Sequence, residues 1–155
     1  MKKIFIAAAV ALCLISTGAF AGADHDHEKG DVSVGRAGNP DNVSRTIEVE
    51  MSDTMRYTPP RITVKRGETI KFVAKNTGKL KHEMVLGSAK ELREHAELMR
   101  KFPDMEHADP NQIAVEAGQT GELVWQFTEA GSFEFACFQP GHFEADMVGK
   151  IVVQP

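Results

Sequence analysis

Cysteine is almost missing from this chain. Two occur in 155 residues, and Cys13 lies in an apolar run near the N-terminus, which leaves Cys137 alone in the body of the protein. A disulfide framework is therefore excluded. An excess of positive charge is missing too: 18 Lys and Arg stand against 22 Asp and Glu, for a net charge of −4. That balance argues against nucleic acid as a partner. Long apolar runs are confined to Ile4–Ile15, which is too short to span a bilayer and has no stop-transfer pattern after it.

What is present at the N-terminus reads as an export signal. Lys2 and Lys3 precede the apolar run, and Ala19-Phe20-Ala21 is a small-x-small cleavage site. Residues 1–21 are expected to be a cleaved signal peptide, which places the protein in the periplasm. Cys13 follows Leu12 rather than a small residue, so no lipid or membrane anchor is expected. Residues 22–44 are polar and Gly-rich without apolar period, and are expected to be a flexible leader carrying His25 and His27. Residues 45–155 are expected to form one domain.

In that domain the apolar period is two. Ile47, Val49 and Met51 alternate with polar residues, as do Ile62 and Val64, then Ile70, Phe72 and Ala74. The stretch "HEMVLG" from His82 reads as a further strand, followed by Leu123/Trp125/Phe127, Phe133/Phe135/Cys137 and Gly149 to Val153. One helix interrupts them: Ser88 and Glu91 form a capping box, Ala89 to Phe102 continue, and Pro103 ends the run. Leu92, Ala96 and Met99 share one helical face. Many short strands with Gly and Pro turns and one inserted helix predict an all-β sandwich.

The chemistry concentrates near the C-terminus. In "FEFACFQPGHFEADMVGKIVV" a thiol, an imidazole and a thioether follow one another at five-residue steps: Cys137, His142 and Met147. Cys137 shares the inward face of Phe133 and Phe135, Gln139-Pro140-Gly141 turns the chain, and His142 and Met147 come back on the return. A fourth donor has to come from elsewhere, and His82 at the start of a strand is the candidate. Two imidazoles, a thiolate and a weak thioether suit a blue-copper centre. Bound metal would also keep a lone thiol occupied in an oxidising compartment.

These residues resemble the plastocyanin/azurin family of small exported cupredoxins. The likeness rests on His82 in "KHEMVLG", on the Cys137–His142–Met147 stretch and on "RITVKRGETIKFVAKNTG". It implies a Greek-key sandwich with one type 1 copper, His82, Cys137 and His142 as equatorial ligands and Met147 as the axial one. The C-x4-H-x4-M spacing is longer than that of plain plastocyanin. A closer likeness is to periplasmic cupredoxins of copper tolerance. It implies a second soft-metal site, and with it a second copper, among Met51, Met55, His95, Met99, Met105 and His107.

Other chemistries fit less well. Structural zinc sites use more than one Cys, and Met is a poor zinc ligand. A Cys–His nucleophile lacks an orienting third group and leaves Met147 without purpose. A copper oxidase needs a dinuclear centre with further Cys and further domains, so no enzyme is expected. The expected function is periplasmic copper binding with a redox-active metal, in copper homeostasis or tolerance. The alternative is a mobile carrier that exchanges electrons with a c-type cytochrome or another periplasmic redox or copper-handling protein. Backbone amides near Glu83 and Gln139 are expected as donors to the Cys137 sulfur.

Overall fold

A computed structural model describes residues 33–102, 105 and 108–155. Residues 1–21, expected to be a signal peptide, and residues 22–32, with His25 and His27, lie outside the described residues, as do Pro103 and His107. The strands are β1 (Gly35–Ala37), β2 (Arg45–Ser52), β3 (Arg56–Thr58), β4 (Arg61–Lys65), β5 (Thr69–Asn76), β6 (His82–Gly87), β7 (Gln112–Val115), β8 (Thr120–Phe127), β9 (Gly131–Ala136) and β10 (Val148–Gln154). Among the described residues there is one α-helix, α1 (Ala89–Lys101), which follows β6.

Two five-stranded sheets face each other, in the orders β1-β8-β5-β2-β3 and β4-β10-β9-β6-β7. Strands β2 and β5 run parallel, as do β4 and β10, and the other pairs are antiparallel. Parallel neighbours need crossovers, and here they carry the chain from sheet to sheet, as a Greek key requires. The alternating positions fill the space between. Val49, Met51, Ile70, Phe72, Ala74, Leu123, Trp125 and Phe127 from the first sheet meet Ile62, Val64, Met84, Leu86, Phe133, Phe135, Ile151 and Val153 from the second. The expected all-β sandwich with one helix is the architecture found.

Helix α1 lies on the outer face of the second sheet. Val85, Leu92, Ala136 and Phe138 form a second cluster there, with Ala96 and Met99 packed against it. The capping box is present in full: the Ser88 hydroxyl accepts from the Glu91 amide at 3.2 Å, and the Glu91 carboxylate accepts from the Ser88 amide at 2.7 Å. The helix ends one residue before the expected Phe102, which forms its C-cap.

Three strands escaped the sequence pattern. Strands β3 and β7 are short edge strands with three and four residues, too few to set up an alternation. Strand β1 is the third: Gly35–Ala37, within the stretch read as leader, pair with β8, and Val34 beside them is fully buried in the core. Gly35 makes that approach feasible. It has φ +141°, and a Cβ there would come within 2.0 Å of the Gln126 carbonyl oxygen.

The Glu91 carboxylate also ties this N-terminal segment down, accepting from the Ser33 amide at 3.1 Å and its hydroxyl at 2.6 Å. Burial pushes the carboxyl up, but the Ser33 and Ser88 hydrogen bonds outweigh it and hold it at about 2. The linked stability is complete above the ordinary carboxyl value of 4.5 and is lost as the pH falls towards 2. Glu91→Ala should therefore cost about 1 kcal/mol at pH 7, with the difference from wild type shrinking between pH 4.5 and 2. Denaturant unfolding at a series of pH values measures it, and an equal difference at pH 7 and pH 2.5 would contradict the assignment.

Candidate metal centre

One end of the sandwich gathers the donors. Strand β9 runs out at Ala136 and puts Cys137 in the core, fully buried. The chain leaves the sheet and returns at Met147, and the backbone closes the loop with Cys137 N donating to Met147 O at 3.2 Å. Inside it, His142 N donates to Gln139 O, Ala145 N to Gly141 O and Met147 N to His142 O. Gly141, at φ +82°, supplies the left-handed turn before His142. Opposite, β6 begins at His82, also fully buried.

Ligand atoms of His82, Cys137 and His142 all lie within 4.8 Å of one another. Cys137 Sγ is 3.3 Å from His142 Nδ1, and the two imidazole rings are 4.8 Å apart between centroids. Met147 is fully buried in the same core cluster as Cys137. His82 Nε2 faces Asp53 Oδ1 at 3.1 Å, while its Nδ1 is buried with no hydrogen-bond partner. An orphaned buried ring nitrogen beside a buried thiol is costly unless something occupies the space between them. Soft sulfur and borderline imidazole donors are what copper accepts, so the residues fit that metal.

The electrostatics agree. Burial pushes the Cys137 thiol up to about 12, against hydrogen bonds from the Gln139 and Glu83 amides that pull it down. The Glu83 amide lies 3.4 Å from Sγ, in the place of one of the two expected donors to the sulfur. Burial, helped by the neighbouring His82, lowers His142, against the opposing pull of Asp53. The apo site thus holds a protonated thiol and, at neutral pH, a neutral His142.

Further residues hold the donors, and no local pattern along the chain marks them. Asn76 Nδ2 donates to Leu80 O at 2.7 Å and to Val115 O at 2.9 Å, and its Oδ1 accepts from Gly78 N. Asp53 accepts from the amides of Lys79 and Leu80, which together with His82 hold its carboxyl below the ordinary value against partial burial. The segment that delivers His82 is therefore clamped from both sides. Tyr57 OH donates to Glu83 O at 2.6 Å. The Arg56 guanidinium donates to Ala145 O at 3.0 Å and Asp146 O at 3.2 Å, just before Met147.

Among the described residues, those of the expected second site fall in different parts of the fold. Met51 is fully buried in the main core, with Met55 packed against that core. Met99 belongs to the cluster under α1. His95 lies against the Phe138 ring at 4.5 Å, Met105 is exposed, and His107 lies outside the described residues. Beside the loop, a hollow of about 210 Å³ is lined by Met99, Phe138, Pro140 and Phe143 among others.

Comparison with known proteins settles the family. The family model for copper binding proteins of the plastocyanin/azurin family matches residues 43–154. The chain belongs to that family. It is 54% identical over 150 residues to the copper-resistant cuproprotein CopI of Rubrivivax gelatinosus, covering 91% of each chain. The CopI of Pseudomonas aeruginosa is 39% identical, over 78% of this chain and 82% of its own. Among solved structures, auracyanin B superposes with a TM-score of 0.65 at 18% identity, covering 81% of this chain and all of that one. The auracyanin of Roseiflexus castenholzii gives 0.63 at 22%, over 73% of this chain and 99% of its own. These two likenesses show the fold, a cupredoxin sandwich. Copper is the cofactor of this cupredoxin, with one ion per chain.

Two outcomes follow from the geometry. Because the apo thiol titrates at about 12, loading with copper at pH 7 should release one proton per ion from Cys137, readable in a weakly buffered indicator solution. A Cys137→Ser variant that releases the same proton would contradict this. Arg56→Ala should loosen the loop before Met147, costing about 1–2 kcal/mol and speeding amide exchange at Met147 and Val148. Unchanged exchange rates there would show that the guanidinium holds nothing.

Proposed function

We propose that this protein is a periplasmic type 1 copper protein with a redox-active metal, serving copper homeostasis and tolerance. The residues that would hold the copper are His82, Cys137 and His142, with Met147 as a weak thioether donor. The observation that carries the reading is the convergence of three buried donors within 4.8 Å at one end of the sandwich, with His82 Nδ1 left unpartnered beside them. The tolerance role is supported by CopI relatives named as copper-resistant. The apolar run and cleavage signal at the N-terminus support export.

Each residue has a definite task. Cys137 gives up its thiol proton and supplies the thiolate. His82 presents Nδ1 because Asp53 occupies Nε2. His142 presents Nδ1, the nitrogen that already faces Sγ. The ring stack of Phe138 on Phe143, 5.2 Å between centroids, shields the loop from water. Copper, when bound, supplies one-electron exchange between Cu(I) and Cu(II). The loop is braced by its own backbone bonds, so it need not rearrange when the oxidation state changes.

One observation favours a second reading, a mobile electron carrier. The apolar hollow lined by Phe138, Pro140 and Phe143 adjoins the His142 loop, and small apolar contacts suit brief redox encounters. A solved relative, auracyanin A of Chloroflexus aurantiacus, 25% identical with a TM-score of 0.59 over 70% of this chain and 98% of its own, is described as a "blue" copper protein.

The copper-loaded protein should show an intense visible thiolate-to-copper band that disappears in Cys137→Ala, and Met147→Leu should shift the band without abolishing it. A band that survives Cys137→Ala would end the ligand assignment. A deletion strain should become copper-sensitive. Wild-type tolerance, together with fast electron exchange with a c-type cytochrome in stopped flow, would favour the carrier instead.

A further inference from the structure

We propose that two carboxylates that do not touch the metal, Asp53 and Glu83, bias this copper centre towards Cu(II) and lower its reduction potential. The inference rests on the ligand set proposed above and deepens it.

Asp53 stands directly behind His82. Its Oδ1 is 3.1 Å from His82 Nε2, and its two oxygens also accept from Leu80 N at 3.2 Å and Lys79 N at 2.8 Å. The turn beside it is closely fitted: a Cβ on Gly78 would come within 2.0 Å of Asp53 Oδ1. The carboxylate is thereby fixed in one place. A histidine ligand whose far nitrogen donates to a carboxylate is a more basic ligand, held in one tautomer.

Glu83 works on the other side of the same strand end. Its amide lies 3.4 Å from Cys137 Sγ. Its side chain turns to the two residues after the thiol, accepting from Phe138 N at 2.6 Å and from Gln139 Nε2 at 3.3 Å. The carboxylate is held against the backbone that leaves Cys137. One fixed negative charge therefore sits behind an imidazole ligand and a second beside the thiolate.

The two oxidation states differ by one positive charge. A fixed anion near the metal stabilises the more positive state more, and does so strongly where water is excluded. Asp53 is partly open to solvent, with 36% of its side chain exposed, so salt weakens its share. Glu83 is half-buried and is screened less. A centre biased this way suits a protein that holds copper in its oxidised form.

The test removes each charge while keeping a hydrogen-bond acceptor: Glu83→Gln and Asp53→Asn, with Glu129→Gln in the exposed β8–β9 turn as a control. Reduction potentials come from redox titration of the copper-loaded protein, and Cu(II) and Cu(I) affinities from chelator competition. Thermal unfolding of each apo variant checks that the fold is retained. Each site variant should lose about tenfold in the ratio of Cu(II) to Cu(I) affinity, which is an upward shift of 59 mV for one electron. The control should stay at the wild-type value. Where Asp53→Asn unfolds, Glu83→Gln alone decides. A wild-type potential in a folded site variant that keeps its thiolate band overturns the proposal. So does equal weakening of both oxidation states, or an equal shift in the control. Absence of the thiolate band in wild-type protein removes the ligand assignment as well, so the two failures are distinguishable.

Discussion

The site depends on one backbone hydrogen bond, Cys137 N to Met147 O. It closes the loop at the point where β9 ends and β10 is about to begin, and so converts an eleven-residue span into a ring with fixed ends. Everything inside is then over-determined. His142 is placed by bonds on both sides, from its own amide to Gln139 O and from Met147 N to its carbonyl. Two core strands anchor the ring: Phe135 faces Gly149 across the β9–β10 ladder, so closely that a Cβ on Gly149 would meet the Phe135 ring at 2.1 Å. A thiol, an imidazole and a thioether at five-residue steps would be ordinary on an open chain. Closed into this ring and set against the core, Cys137 Sγ and His142 Nδ1 lie 3.3 Å apart, with Met147 buried in the same core cluster as the thiol.

The other half of the site solves a different problem. His82 comes from the opposite side of the loop, and its strand is reached through a turn with few apolar residues to hold it. Hydrogen bonds do that work. Asn76 and Asp53 engage the turn through four backbone groups between Gly78 and Leu80, and Asn76 reaches Val115 as well. Buried polar networks of this kind are worth having only when every member is satisfied. The one member left over is Nδ1 of His82, the atom that the proposed site assigns to the metal. On that reading the unsatisfied group is not a flaw in the packing but the point at which bound copper would complete the network.

Much of this was legible in the sequence because the physics behind it is local. Period-two alternation exposed the long strands, since each has one face in a shared core. The capping box at Ser88 and Glu91 exposed the start of the helix. The spacing of Cys137, His142 and Met147 exposed the loop. What stayed hidden is long-range or very short. Strand β1 has three residues and pairs with a strand some ninety positions away, so its polar, Gly-rich sequence reads as leader. Asp53 and Arg56 sit in and after a turn whose methionines drew attention instead, and only the fold shows that one faces His82 and the other the carbonyls before Met147.

The one methionine and one histidine of the helix carry the same lesson into function. Read along the chain, His95 and Met99 look like spare metal donors. In the fold they face Phe138, the residue after the thiol, with His95 against its ring and Met99 in the cluster around it. Phe138 stacks in turn on Phe143, the residue after His142. The helix thus packs onto this loop from outside, through the two residues that immediately follow Cys137 and His142. A soft, polarizable thioether fills an irregular gap of this kind well. The inserted helix therefore braces the loop: it covers the loop's outer side, around Phe138 and Phe143, while the core lies beneath.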